Sequence, residues 1–210
     1  GSIAMMTSLA DSSIDLLSAS ITLCSVISAS LPPNKKHRYG FDKFESIAAF
    51  AQSVFISVSG GYLLIHSIQR LVDPKEIVKF DLAVGTMLFS ILLTGSLVLF
   101  QRHVIKKTNS LAIRADSANY KGDLYMNVAV IVSLVATKYT GIFHLDALFG
   151  ILVSLMLFRN AYEIFKDSLA VLVDKELSEE ERSNIINIIR SCSYVLGVHD
   201  LRTRNSGYRS

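Results

Sequence analysis

Charge is scarce in this chain of 210 residues: Asp, Glu, Lys and Arg together make up 19%, against 50% hydrophobic residues. With a positive mean hydropathy, that balance excludes an ordinary soluble domain of this length. Cysteine is nearly absent. Cys24 lies in an apolar stretch and Cys192 in a polar tail, with no CxxC between them, which excludes a disulfide framework and a thiolate metal cluster. The chain also lacks a phosphate loop, a nucleophile elbow and any interleaving of aromatic with basic residues suited to nucleic acid. Nucleotide hydrolysis, serine-type catalysis and nucleic-acid binding therefore have no support, and nothing reads as an enzyme. No charged segment followed by a cleavage motif opens the chain, so its first residues are not a signal peptide. It starts directly in apolar sequence without Met and stops at Arg209-Ser210, so a piece of a longer chain is expected.

What the chain does have is long apolar stretches. Five membrane-spanning helices are expected, over residues 3–31, 45–68, 82–100, 115–137 and 145–164. Pro32-Pro33 ends the first, and Ser57, Ser59, Gly60 and Gly61 make the second suited to close helix packing. The connector between the second and third has mixed charge and contains Pro74. The fourth is polar in its first half, with Asp116, Asn119, Lys121, Asp123 and Asn127.

Basic residues set the orientation. Lys35, Lys36, Arg38 and Lys43 follow the first span, and Arg102, Lys106, Lys107 and Arg114 follow the third, whereas Lys138 stands alone after the fourth. The positive-inside rule puts the two basic loops and the charged tail on the cytoplasmic side and Gly1 on the outer side, although Arg70, Lys75 and Lys79 blur the contrast. A cytoplasmic N-terminus would require one further span before Gly1. In the tail, Ser178-Glu179-Glu180-Glu181 reads as a capping box opening an amphipathic helix with Ile185, Ile186, Ile188 and Ile189 on one face. After Gly197, residues 198–204 alternate like a half-buried strand. One helix and one strand cannot close a core, so the soluble part is expected to be cut short.

The chemistry concentrates in two spans. Asp11 and Asp15, four residues apart, share one face of the first helix inside an otherwise uncharged stretch. A carboxylate inside a bilayer costs at least ~2.5–3.5 kcal/mol, so two of them call for a compensating partner, a cation or a polar seam between helices. Asn119 and Asp123 repeat the spacing in the fourth span. If the first and fourth helices pack together, four oxygen ligands converge near mid-membrane, where an alternating-access transporter holds its ion. Such a set suits Mn²⁺ or Fe²⁺ and accommodates Zn²⁺. Asn119 on its own reads equally well as an interhelical hydrogen bond.

At this point the sequence resembles a known family. Asp11-Ser12-Ser13-Ile14-Asp15, the segment from Arg114 to Asp123 and the segment from Tyr39 to Ser46 are similar to the cation diffusion facilitators, as are Leu172 to Leu177 and Val198 to Arg204. The similarity is greatest to the bacterial zinc and ferrous-iron efflux pumps, and it runs through essentially the whole chain in order. It implies an all-α transmembrane bundle, with five of the family's six helices present, followed by the start of a truncated α+β ferredoxin-like cytoplasmic domain. Residues 1–170 would be the transmembrane cation-efflux domain and residues 171–210 the N-terminal part of the cytoplasmic dimerisation domain. It further implies a homodimer in a bacterial inner membrane, multi-pass, with a cytoplasmic C-terminus, exchanging a divalent metal for protons. Asp11, Asp15, Asn119 and Asp123 would be the intramembrane metal ligands, and Lys43 with Asp174 an ion pair joining the membrane and cytoplasmic parts.

Departures from the family pattern are informative. Zinc-handling members usually carry His where this chain has Asn119. An amide oxygen binds no proton at physiological pH, so Zn²⁺ preference should weaken and one proton carrier is lost. The family's second metal site maps to the loop of Asn34, His37 and Phe41, where only His37 is a ligand type, making the site weak or lost. His199 matches a ligand of the cytoplasmic metal site, incomplete in this chain. Two functions follow from the reading. One is efflux of Fe²⁺, Mn²⁺ or Zn²⁺ by antiport against protons. The alternative is a non-transporting relative that senses metal or serves as a membrane scaffold.

Overall fold

The computed structural model describes residues 2–72, 80–140, 144–192 and 194–205, with the backbone alone for residues 2–12, 80–84, 134 and 137–140. Six helices follow one another among the described residues: α1 (Ser2–Ala29), α2 (Lys43–Val72), α3 (Phe80–Thr108), α4 (Leu111–Thr140), α5 (Leu145–Leu172) and α6 (Glu179–Arg190). The expected connector around Pro74 falls on residues 73–79, outside the described ones. The first five helices have 28 to 30 residues. At 1.5 Å per residue each is about 42–45 Å long, more than the ~30 Å of a bilayer's hydrocarbon core.

The helices outrun the apolar segments that announce them. The basic stretch Arg102 to Lys107, expected as a loop, is the last part of α3. Lys and Arg are good helix formers, and beyond the bilayer edge a helix needs no apolar face to continue. Asn109 then adopts a left-handed conformation at φ 50° and turns the chain straight into α4. In the same way α5 continues past Ile164 to Leu172.

By length and apolarity, Lys43–Val72, Gly85–Thr108 and Leu145–Leu172 qualify as membrane spans among the described residues, and the part of α1 from Ser13 to Ala29 is apolar as well. α4 does not qualify, because its first half carries Asp116, Lys121 and Asp123 among other polar residues. Polar side chains are buried at Ser18, Gln52, Gln101, Asp116 and Ser117, whereas Leu88, Phe89, Leu92, Leu93, Leu99 and Phe100 of α3 are exposed. This inverts the soluble pattern and fits an apolar solvent around the bundle.

α2 packs most extensively on α5, and α4 touches α1, α2, α3 and α5. The core is made of small side chains, Ala49, Ala115, Ala118, Ala129 and Ala161, around Ile56, Val153, Leu157 and Ile164. Small residues let helix backbones approach closely where burial of apolar surface gives no drive to associate. A Cβ on Gly122 would stand 2.5 Å from Leu157 Cδ2, so that crossing of α4 and α5 is built for a residue without a side chain.

The tail departs from expectation in one respect. α6 opens with the capping box: Ser178 Oγ accepts from the Glu181 N–H at 3.3 Å, and Glu181 Oε2 accepts from the Ser178 N–H at 3.2 Å. Residues 198–204, expected as a strand, are not one, and the described residues contain no strand. An extended segment becomes a strand only by pairing with another, and none lies beside it. The described residues therefore do not show the α+β arrangement. The segment is held by side chains instead: Thr203 Oγ1 accepts from the Leu177 N–H at 3.2 Å, and the Arg204 guanidinium sits 3.9 Å above the Tyr39 ring.

Candidate metal centre

α1 and α4 pack against one another. Asp15 and Asn119 meet at that crossing, where Asn119 Nδ2 donates to Asp15 Oδ1 at 3.4 Å. In this arrangement the amide neutralises part of the carboxylate's need for a donor. To bind a cation beside Asp15, the amide must turn about χ2 and offer Oδ1 instead. Asp15 and Asp123 are exposed on the single chain. Asp123 lies one turn beyond Asn119 on α4, at the four-residue spacing that stacks side chains on one face. Asp11 belongs to α1, one turn before Asp15, and its side chain is outside the described residues. Among the described residues no three His, Cys, Asp or Glu side chains are grouped to hold a metal.

Directly beyond this pair lies a buried polar cluster that the sequence reading did not single out. Asp116, 8% exposed, accepts from Gln101 Nε2 of α3 at 2.7 Å and from Gln52 Nε2 of α2 at 3.4 Å. Gln52 also donates to Thr22 Oγ1 of α1 at 2.6 Å and to the Ser18 carbonyl at 3.2 Å. Asp116 thus joins α4 to α2 and α3, and Gln52 extends the cluster to α1. The signal was present: residues 116, 119 and 123 follow the three-and-four spacing of one helix face. Gln52 and Gln101 gave none, since a single uncharged amide in an apolar run reads as an ordinary polar position.

The other expected sites are simpler. Asn34 Oδ1 accepts from the Lys36 and His37 N–H groups at 2.9 and 2.7 Å, and the His37 ring lies 4.6 Å from Phe41. The loop positions are close, but Asn34 is spent on the turn and Phe41 carries no donor atom. His199 is exposed, next to an Asp200 that pairs with Arg202 at 2.9 Å. Lys43 Nζ donates to Asp174 Oδ1 at 2.9 Å, and Arg204 stands 3.8 Å from the same oxygen. The hydrogen bond from Lys43, helped by its charge and that of Arg204, holds the Asp174 carboxyl below its ordinary range.

At the end of the bundle where α2 finishes and α5 starts, Arg70 pairs with Asp146 beside a cavity of about 220 Å³ lined by His66, Ser67 and Met126. At the opposite end the Lys43–Asp174 contact and the tail close the structure.

Comparison with known proteins is consistent along the whole chain. Residues 1–173 match the cation efflux transmembrane domain, and residues 177–210 match the cytoplasmic domain of cation efflux proteins. The chain is 39% identical over 207 residues to the cation-efflux pump FieF of Shewanella oneidensis, covering 99% of this chain and 70% of that protein. It is 39% identical over 208 residues to the cation-efflux pump FieF of Yersinia enterocolitica, and 38% identical over 208 residues to that of Yersinia pestis. Each match covers 99% of this chain and 69% of the relative.

Proposed function

The chain belongs to the cation efflux family, and from that premise we propose that it moves a divalent metal cation out of the cytoplasm by exchange for protons. Asp11, Asp15 and Asp123 bind the ion and release it as they take up protons, with Asn119 as a neutral fourth ligand. The observation that carries the reading is the α1–α4 contact, which sets Asn119 against Asp15 at 3.4 Å. Protons moving inward supply ~2.3 kcal/mol per charge per 100 mV, before any pH gradient. Fe²⁺ and Mn²⁺ suit the all-oxygen donor set, and Zn²⁺ is accepted with less preference than by a site containing His. The protein works as a homodimer in a bacterial inner membrane, with the tail from about residue 171 in the cytoplasm.

The test is flux into proteoliposomes of the full-length protein under an imposed pH gradient, comparing Fe²⁺, Mn²⁺ and Zn²⁺. Asp123→Ala is expected to reduce flux of every ion to that of protein-free liposomes, and Asn119→His to move the ranking towards Zn²⁺. Flux that survives Asp123→Ala would overturn the assignment of the site, and no flux from folded, inserted protein would favour a sensing or scaffolding relative. The Asn119–Asp15 hydrogen bond supports that second reading, because it also serves as a plain interhelical contact.

A further inference from the structure

Two cavities meet at the N-terminus of α2. The larger, of about 610 Å³, lies between the bundle and the tail, with Asp42, Glu45, Asp167, Lys175, Glu176 and Glu181 in its wall. The smaller, of about 200 Å³, lies between the ends of α1, α3 and α4, with Ala29, Thr108 and Ile113 in its wall. Asp42 and Glu45 line both. Ile113, in the wall of the smaller cavity, is one turn before Asp116 on α4.

The carboxylates around the larger cavity differ in how they are satisfied. Asp167 pairs with Arg114 at 2.7 Å, Glu176 pairs with Arg182 at 3.2 Å, and Glu181 completes the capping box. Glu45 accepts from the Ser110 hydroxyl at 2.6 Å through one oxygen. Asp42 is 6% exposed, and its carboxylate has no hydrogen bond or ion pair among the described residues. It does not cap α2 either, since the Glu45 N–H goes to the Asp42 backbone carbonyl at 3.2 Å. A buried, uncompensated carboxylate is costly, and the positive end of α2 offsets only part of that cost. Asp42 lines both cavities, whose volumes leave room for an ion that keeps part of its water.

We propose that Asp42 and Glu45, with the Ser110 hydroxyl, form a docking site for a hydrated divalent cation between the two cavities. It rests on the reading that such a cation is the cargo. Two carboxylates one helical turn apart, an alcohol oxygen and retained waters make a hard, weakly selective site for Mn²⁺-like ions. It concentrates the ion at the cytoplasmic mouth and passes it towards Asp116 and the α1–α4 crossing. The pairs holding Asp167, Glu176 and Glu181 keep those groups from competing for it, and Lys175 limits the negative charge of the vestibule.

The first test is Mn²⁺ binding to the full-length protein, read by electron paramagnetic resonance. Asp11→Asn, Asp15→Asn and Asp123→Asn are introduced together, so that the proposed transport site is silent. Mn²⁺ binding is expected to persist, and adding Asp42→Asn with Glu45→Gln should weaken one equivalent by about tenfold or more. Asp42→Glu, which keeps the charge, should restore it. Absent residual binding, or binding unchanged by the two substitutions, overturns the proposal. In the otherwise unmodified protein, Asp42→Asn with Glu45→Gln should raise the KM for cytoplasmic Mn²⁺ by about tenfold with kcat within about twofold; an unchanged KM also overturns it. A protein that transports nothing would defeat the efflux reading, while the binding measurement would still decide this one.

Discussion

Asp116 illustrates how much can hang on one side chain in an apolar surrounding. Its two oxygens receive one amide donor each from α2 and α3. Truncation leaves the Gln101 amide buried without its acceptor, at ~1–3 kcal/mol, whereas Gln52 keeps Thr22 Oγ1 and the Ser18 carbonyl. Asp116→Ala is therefore expected to lower unfolding free energy in detergent by about 1–3 kcal/mol. Asp116→Asn should stay within about 1 kcal/mol of the parent, because Gln52 Oε1 and Gln101 Oε1 have no partner and can accept once an amide turns. Equal losses for the two substitutions, measured by denaturant titration, would mean that the charge rather than hydrogen bonding holds the cluster. The sequence made Asp11, Asp15 and Asp123 conspicuous because charge within an apolar run is rare and expensive. Asp116 has the same rarity, but its role depends on two glutamines from other helices, which no spacing within α4 discloses. Asp42 stands in sequence beside Lys43, at the end of the basic stretch after the first span. Only packing shows that it is buried.

At the scale of the helix, apolar runs located the bundle's helices well, and their ends badly. A hydrophobic segment marks the part of a helix inside the bilayer, whereas α3 and α5 continue on the backbone hydrogen bonds of charged residues that carry no such mark. The segment 198–204 failed for the opposite reason: alternation describes a strand that has a partner, and here side-chain contacts with Leu177 and Tyr39 hold it instead. The glycines of α2 were legible as packing residues, but the tightest approach on that helix's main interface involves Gly150 of α5. A Cβ there would overlap the buried Ser67 Oγ of α2. Gly150→Ala is expected to cost about 1–3 kcal/mol by overpacking. Ser67→Gly added to it should recover most of that loss, a coupling a double-mutant cycle detects. Gly61→Ala, where the nearest atom would be Phe158 Cζ at 3.9 Å, should be neutral or slightly stabilising. Additive losses for Gly150 and Ser67 would mean that α2 and α5 adjust by shifting rather than by fixed contact.

For the molecule as a whole, the question is what keeps the tail against the bundle. Among the described residues α6 contacts none of the other helices, so the attachment seen there runs through individual residues. Lys43 at the start of α2 meets Asp174, which holds φ 53° just after α5, and Arg204 reaches both Asp174 and Tyr39. Positions 43 and 174 are 131 residues apart, a separation that no local pattern relates. Because the Asp174 carboxyl is held below its ordinary range, its contribution is fully present above the usual carboxylate pKa of ~3.9 and is lost as pH falls through its lower folded value. The tail should thus stay docked from neutral pH down to about pH 4 and loosen below it. Cys24 on α1 and Cys192 beyond α6 are free and exposed, so both accept spin labels without further substitution. The distance distribution between them is expected to be narrow at pH 7 and to broaden in acid. Asp174→Asn should give the broad distribution at pH 7 and abolish the acid-dependent step. A narrow distribution for Asp174→Asn at pH 7 would place the attachment in the Arg204–Tyr39 stack and the Leu177–Thr203 hydrogen bond, and would leave Lys43–Asp174 as one contact among several at the membrane face.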